Sequence, residues 1–206
     1  MSVEFDGADD FDDAVFRGVT VEPGTRVVGK QFDGCRFEHC SFQEGEFLDC
    51  AFRDSTFEGC NLSMWKVTNT TFLDVVFRQS KLTGVDWTAA RWSTVGAPVT
   101  FEDHCVLDLG VFLGLTLTRA VFRDCSAHDV DFSEADLAGS DFSGTDLHGA
   151  RFNHTNLAKT RFETAFSYTI DPRGNLVKGA RFALPEAASL LRALGVELVD
   201  TDGRSS

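Results

Sequence analysis

Tyrosine is almost missing from this chain, with one residue against 20 phenylalanines. A ring without a hydroxyl can be buried on every side with no partner to supply, so the bias points to an interior filled with aromatic rings. Bases are scarce too. Lys and Arg number 19 against 32 Asp and Glu, a net charge of −13. That balance argues against direct binding to nucleic acid, where Lys and Arg supply the affinity. No run approaches the ~18 apolar residues of a membrane span, so no membrane association is expected. The opening MSVEFDGADDFDDA has neither a basic n-region nor an apolar h-region. No signal peptide is therefore expected, and the location is expected to be cytoplasmic. No nucleophile–base pair, phosphate-cradling glycine loop or paired carboxylates in a cleft emerge either. An enzyme is not expected, nor a cofactor.

What is present is a beat. From Phe32 a bulky apolar residue returns at every fifth position: Phe32, Phe37, Phe42, Phe47, Phe52, Phe57 and Leu62. Neither a helix, with a period near 3.6, nor a strand, with a period of 2, has that spacing. A strict short period marks a repeat architecture. The beat runs on to Trp92 and resumes in the same phase from Leu107 to Phe162. All six cysteines, at 35, 40, 50, 60, 105 and 125, fall two residues before a repeat centre. Other occupants of that position include Ala90, Ala120, Ala135, Ser55, Ser80, Ser140, Thr145 and Thr155, so the cysteines read as small buried residues and not as disulfides or metal ligands. Two inward positions in five, with a turn in every repeat, imply a square cross-section.

Stretches such as Ala135-Asp136-Leu137 and Thr145-Asp146-Leu147 resemble the A(D/N)LXX motif of the pentapeptide-repeat family. The resemblance implies an all-β solenoid: a right-handed quadrilateral β-helix with four repeats, or 20 residues, per coil. The period has support within the chain. Taking every twentieth centre gives Phe32, Phe52, Phe72, Trp92, Phe112, Phe132 and Phe152, all aromatic. We read these as one stacked core ladder in about seven coils, a body ~33 Å long at ~4.8 Å per coil. Residues 1–31 read as an acidic N-terminal arm and cap, and 32–171 as the β-helix. Residues 172–206 read as a C-terminal cap with a short helix at about 185–194, stopped by Gly195.

Four features break or decorate the beat. The first is the interruption at 93–104, read as a bulge or small projecting loop, with Pro98 and Phe101 as candidate partner contacts. Just beyond it, Val106, Leu109, Val111 and Leu113 put apolar side chains on outward phases, and either the 93–104 segment or the N-terminal arm is expected to fold over them, the alternative being a partner. The third is an acidic belt, Asp131, Asp136, Asp141 and Asp146, with Glu134 nearby. These carboxylates read either as turn-closing groups or as a charged face for a basic partner. Near the belt, the column Asp108, His128 and His148 has metal-ligand residue types, but flat strand geometry seldom closes a tetrahedron, so it reads as solvated surface. The fourth is the cap, where Phe182, Leu190, Leu191 and Leu194 are the candidates for closing the last coil and joining two chains as a homodimer.

Two functions follow. The resemblance extends to the Qnr/MfpA-like group, whose members are dimers that bind type II DNA topoisomerases and protect them from quinolones. It implies a DNA-mimicking partner of DNA gyrase or topoisomerase IV. The other reading is a structural or scaffold module with an unrelated protein partner.

Overall fold

A five-residue unit with one bulky centre can bury that centre only if the chain turns before the next one. The computed structural model describes residue 5 and residues 7–92 and 99–199, and it turns in that way. Two places after most centres stands a residue in the left-handed region, such as Gly34 (φ 62°), Asp54 (φ 48°), Asn69 (φ 55°) or Gly139 (φ 72°). Gly, Asn and Asp are the residues that enter this region most readily. Four such corners complete a coil, and the result is a right-handed parallel β-solenoid of about eight turns.

Backbone ladders join the coils. Ala51 N–H donates to the Lys30 carbonyl at 2.9 Å, and Thr71 N–H to that of Cys50 at 2.9 Å. Inside, ring lies on ring. Phe37 and Phe57 stack with centroids 4.6 Å apart, and Phe57 and Phe77 at 5.0 Å. Where a hydroxyl or thiol stands two residues before a centre, it bonds backbone carbonyls of the solenoid. The Thr155 hydroxyl donates to the Phe132 carbonyl at 2.9 Å, and Cys60 Sγ lies 3.3 Å from the Phe37 carbonyl. All six thiols are free and buried. The lone tyrosine shows why Phe is preferred, because the buried Tyr168 hydroxyl finds no partner among the described residues. Burial pushes its pKa up to about 12.

The structure moves two sequence expectations. The N-terminal arm is itself a coil. Asp10–Asp12 pairs with Gln31–Asp33, and Val15–Arg17 with Arg36–Glu38, each at an offset of 21 residues. By Val27, which pairs with Phe47, the offset is 20. The extra residue is therefore taken up in the Glu22–Arg26 turn, where Gly24 stands at φ 75°. Phe5 lies over this first coil, edge-on to Phe16 at 5.3 Å and to Phe32 at 5.4 Å.

The second correction concerns the core ladder. Phe32, Phe52, Phe72 and Trp92 do stack in one column. Phe112, however, stacks on Trp87 and not on Trp92, and Phe132 and Phe152 follow it. Phe77 pairs with Phe101, 24 residues on, and Phe101 with Phe122, 21 further. Those two steps together exceed two 20-residue coils by one whole repeat. The columns are consequently rotated by one face. Thr100–Glu102 is a strand of the solenoid, with Phe101 fully buried. Phe101 is thus a core ring and not a partner contact, and this strand cannot fold over the apolar side chains beyond it. Pro98 lies outside the described residues.

At the C-terminal end Arg181–Phe182 pairs with Arg161–Phe162, and the two Phe rings stack at 5.0 Å. Helix α1, Ala188–Ala193, is shorter than expected, because residues 184–187 form a turn before it. Arg173 Nη2 closes its end by donating to the Ala193 carbonyl at 2.8 Å. Leu190 packs on the core, while Leu191 and Leu194 are each 43% exposed.

Phe57, fully buried and stacked on both sides, tests the column. Phe57→Ala should destabilise the fold by ~3–5 kcal/mol, read as a lower urea midpoint. A loss under 1 kcal/mol would mean the stack adds little.

Candidate interaction surface

Because the interior is filled, chemistry is confined to the outward positions on either side of each centre and at the corners. The acidic belt occupies the first of these. Each of its four aspartates accepts from a backbone N–H two residues on: Ser133, Ala138, Ser143 and His148, at 3.0 to 3.2 Å. Each also reaches a neighbouring coil. Asp131 Oδ2 accepts from Arg151 at 2.9 Å, Asp136 Oδ1 from Asn156 at 2.9 Å, and Asp141 Oδ2 from Arg123 at 3.0 Å. Asp146 Oδ2 lies 2.8 Å from His128 Nε2. Burial works to raise the pKa of Asp131, Asp141 and Asp146, but these hydrogen bonds outweigh it and hold all three carboxyls below their usual range. The belt closes turns and clamps coils. Glu134 differs, standing exposed at a corner with φ 60°.

One face carries an ion-pair chain that the sequence reading did not find. Arg78 meets Glu102 at 2.8 Å, and Glu102 lies 3.7 Å from Arg123. Arg123 holds Asp141 at 3.0 Å, and Arg161 lies 3.4 Å from the same carboxylate. Glu163 then sits between Arg161 at 3.5 Å and Arg181 at 2.7 Å. The signal was present as charges of opposite sign beside successive centres. It stayed hidden because the extra repeat misaligns those columns. On the adjoining face, exposed Asp10, Asp12 and Asp33 flank Phe11 and Phe32, with Asp13 and Asp54 at the next corner. The outward acidity therefore shifts toward the N-terminal coils.

His128 and His148 are neighbours, with ring centroids 5.8 Å apart. Among the described residues no group of three or more His, Cys, Asp or Glu could hold a metal ion. His128 instead bridges Asp146 and Asp108, the latter 3.9 Å from Nδ1. Of the apolar side chains past the interruption, Leu109 and Leu113 are 58% and 43% exposed, while Val106 and Val111 are half-buried. No helix among the described residues is long and apolar enough to cross a membrane.

A filled quadrilateral β-solenoid with activity confined to its exterior defines the class. The family profile for a pentapeptide repeat region matches residues 30–108, and that for pentapeptide repeats matches 117–153 and 128–163. The chain belongs to the pentapeptide-repeat family. None of the curated proteins searched matches it. Among solved structures it is similar to two trypsin-treated variants of QnrB1, a plasmid-mediated fluoroquinolone resistance protein. Both are 19% identical and wholly covered; the alignments span 94% and 93% of this chain, with TM-scores of 0.54 and 0.55. HetL, a pentapeptide repeat protein involved in heterocyst differentiation regulation from the cyanobacterium Nostoc sp. strain PCC 7120, is 16% identical. That match covers 86% of this chain and 90% of HetL, with a TM-score of 0.41.

The Asp146 carboxylate on Nε2 raises the His128 pKa above its ordinary value, aided by Asp108, while burial opposes it. A raised folded pKa contributes stability below the unfolded value near 6.5, and that stability is lost as pH rises through the folded pKa. An NMR titration should place His128 above ~6.5, and Asp146→Asn should lower its midpoint. An unchanged midpoint in the variant would contradict the clamp.

Proposed function

We propose that this chain is a non-enzymatic interaction protein: a DNA-mimicking rod, dimeric through its C-terminal cap, that binds DNA gyrase or topoisomerase IV and shields it from quinolone-type inhibitors. The observation that carries the reading is the rod itself. About eight coils at ~4.8 Å make a body ~38 Å long, which matches about eleven base pairs at ~3.4 Å each. Its charge of −13 suits a surface built to receive duplex DNA. Exposed carboxylates at Asp10, Asp12, Asp13, Asp33 and Asp54 provide an acidic stretch that no cross-coil ladder neutralises as completely as the Arg78–Arg181 face. The likeness of fold to a fluoroquinolone resistance protein supports the choice of partner. Exposed Leu191 and Leu194, with Leu184 82% and Leu176 66% exposed, support a seam between two caps. Pairing would double the rod to about twenty-two base pairs. A cytoplasmic location goes with that partner and is part of the proposal.

The second reading is a scaffold module with an unrelated protein partner. It is favoured by the ion-pair chain from Arg78 to Arg181, which makes one whole face close to neutral and breaks the acidic girdle.

The purified protein, at micromolar concentration, should inhibit gyrase supercoiling or protect it from quinolone-stabilised cleavage. Raising salt should weaken any complex, since exposed charges are screened within ~10 Å at ~0.1 M. Neither inhibition nor protection would leave the scaffold reading. For the seam, Leu191→Asp should give a monomer by light scattering. A wild type that is already monomeric would leave a cap without an interface.

A further inference from the structure

Nineteen non-glycine residues stand in the left-handed region among the described residues, and only two of them are apolar: Met64 (φ 56°) and Leu109 (φ 61°). Polar residues at such corners can bond local backbone, whereas an apolar side chain gains nothing there. Both are also among the most exposed apolar side chains of the solenoid body, at 55% and 58%. They share one corner. Glu44 N–H donates to the Ser63 carbonyl, Met64 N–H to that of Thr83, Gly84 N–H to that of Asp108, and Leu109 N–H to that of His128. Glu44, Met64, Gly84, Leu109 and Asp129 therefore follow one another up successive coils.

Their side chains make a strip. A Cβ on Gly84 would lie 2.4 Å from Met64 Sδ, so the thioether lies across the missing side chain of the next coil. Leu109 continues the line one coil further, and Val111 and the exposed Leu113 widen it onto the adjoining face. Carboxylates frame it. Glu44 and Asp129 stand at its two ends, both exposed. On the side, Val111 is bridged in register to Asp86 on one coil and, on the other, to Asp131, whose charge Arg151 already takes up. Of the nearby bases, Lys66 is held by Glu46 at 2.6 Å and Arg151 by Asp131 at 2.9 Å, while exposed Lys81, in register with Val106, carries no ion pair among the described residues.

We infer that this corner strip is a docking surface for a basic amphipathic helix of a partner protein. Met64 and Leu109 are two coils apart, ~10 Å. That is the distance between residues i and i+7 of a helix, ~10.5 Å at 1.5 Å per residue. A helix laid along the solenoid sets two apolar side chains on Met64 and Leu109. Its Lys or Arg residues, one turn outside that pair, meet Glu44 at one end and Asp129 at the other. The surface is separate from the acidic N-terminal coils and from the C-terminal cap, and it does not rest on a topoisomerase being the partner.

The test uses the full chain and a fluorescein-labelled 18-residue amphipathic peptide of Leu and Lys. The controls are a peptide of the same composition scrambled to lose its apolar stripe and one with Glu in place of Lys. The striped Leu/Lys peptide should bind at least about tenfold more tightly than either control by anisotropy. Binding should fall at least about tenfold in a Leu109→Ser, Leu113→Ser variant whose circular dichroism matches the wild type, and should be unchanged in Leu191→Asp. Equal binding of the scrambled peptide would reduce the effect to net charge and overturn the inference. Undiminished binding by the serine variant would overturn it as well. Loss of self-association in that variant by sedimentation would make the occupant a second copy of the chain, which also contradicts it.

Discussion

Everything in this molecule depends on one apolar side chain lying on its counterpart a coil away. The stack at Phe37, Phe57 and Phe77, with centroids near 5 Å, is possible only while strands stay ~4.8 Å apart in parallel register. The backbone ladder holds that register, and the rings hold the ladder dry. Neither stands alone: strands of two or three residues are too short to persist without the stack, and rings on a chain that did not turn would face water. The corner residues are the third party. A left-handed conformation about every five residues lets the chain keep both commitments, which is why Gly and Asp recur there.

A filled interior has a functional consequence. Whatever this chain recognises, it recognises with outward positions that the fold leaves free to vary. Those positions are less free than they look. Asp131, Asp136, Asp141 and Asp146 close turns and bind neighbouring coils, and all but Asp136, whose partners are neutral, meet a base or imidazole there. The charges in the chain of ion pairs from Arg78 to Arg181 are likewise met within the molecule. What is left to present is the acidity of the first coils, the open end at the cap, and the apolar corner at Met64 and Leu109.

The fold could be read from the sequence wherever the signal was the five-residue phase. Phe32 through Phe57 announce the centres, and the cysteines announce the small corner positions. The phase is blind to a whole inserted repeat, however. Trp92 and Phe112 keep the beat yet sit in different columns, because the chain gains one repeat between Phe77 and Phe122. The same blindness hid the Arg78–Glu102–Arg123 chain. The one-residue offset of Phe11 and Phe16 suggested an arm, although a single turn at Glu22–Arg26 absorbs it. Phe101 looked like a loop residue because its neighbours break the pattern, while its ring stacks on Phe77 at 5.0 Å. The aspartates of the belt were legible as turn residues. Which of them also bind another coil was not, since that depends on what stands 18 to 20 residues away.

The central functional claim is that the acidic rod competes with DNA for a protein surface. The most direct measurement is displacement of a labelled duplex of about twenty base pairs from DNA gyrase by the unlabelled full chain, at two salt concentrations. The account predicts displacement at micromolar protein that weakens as salt is raised from ~50 to ~200 mM. A complex with gyrase that leaves the duplex bound, or displacement indifferent to salt, would contradict it.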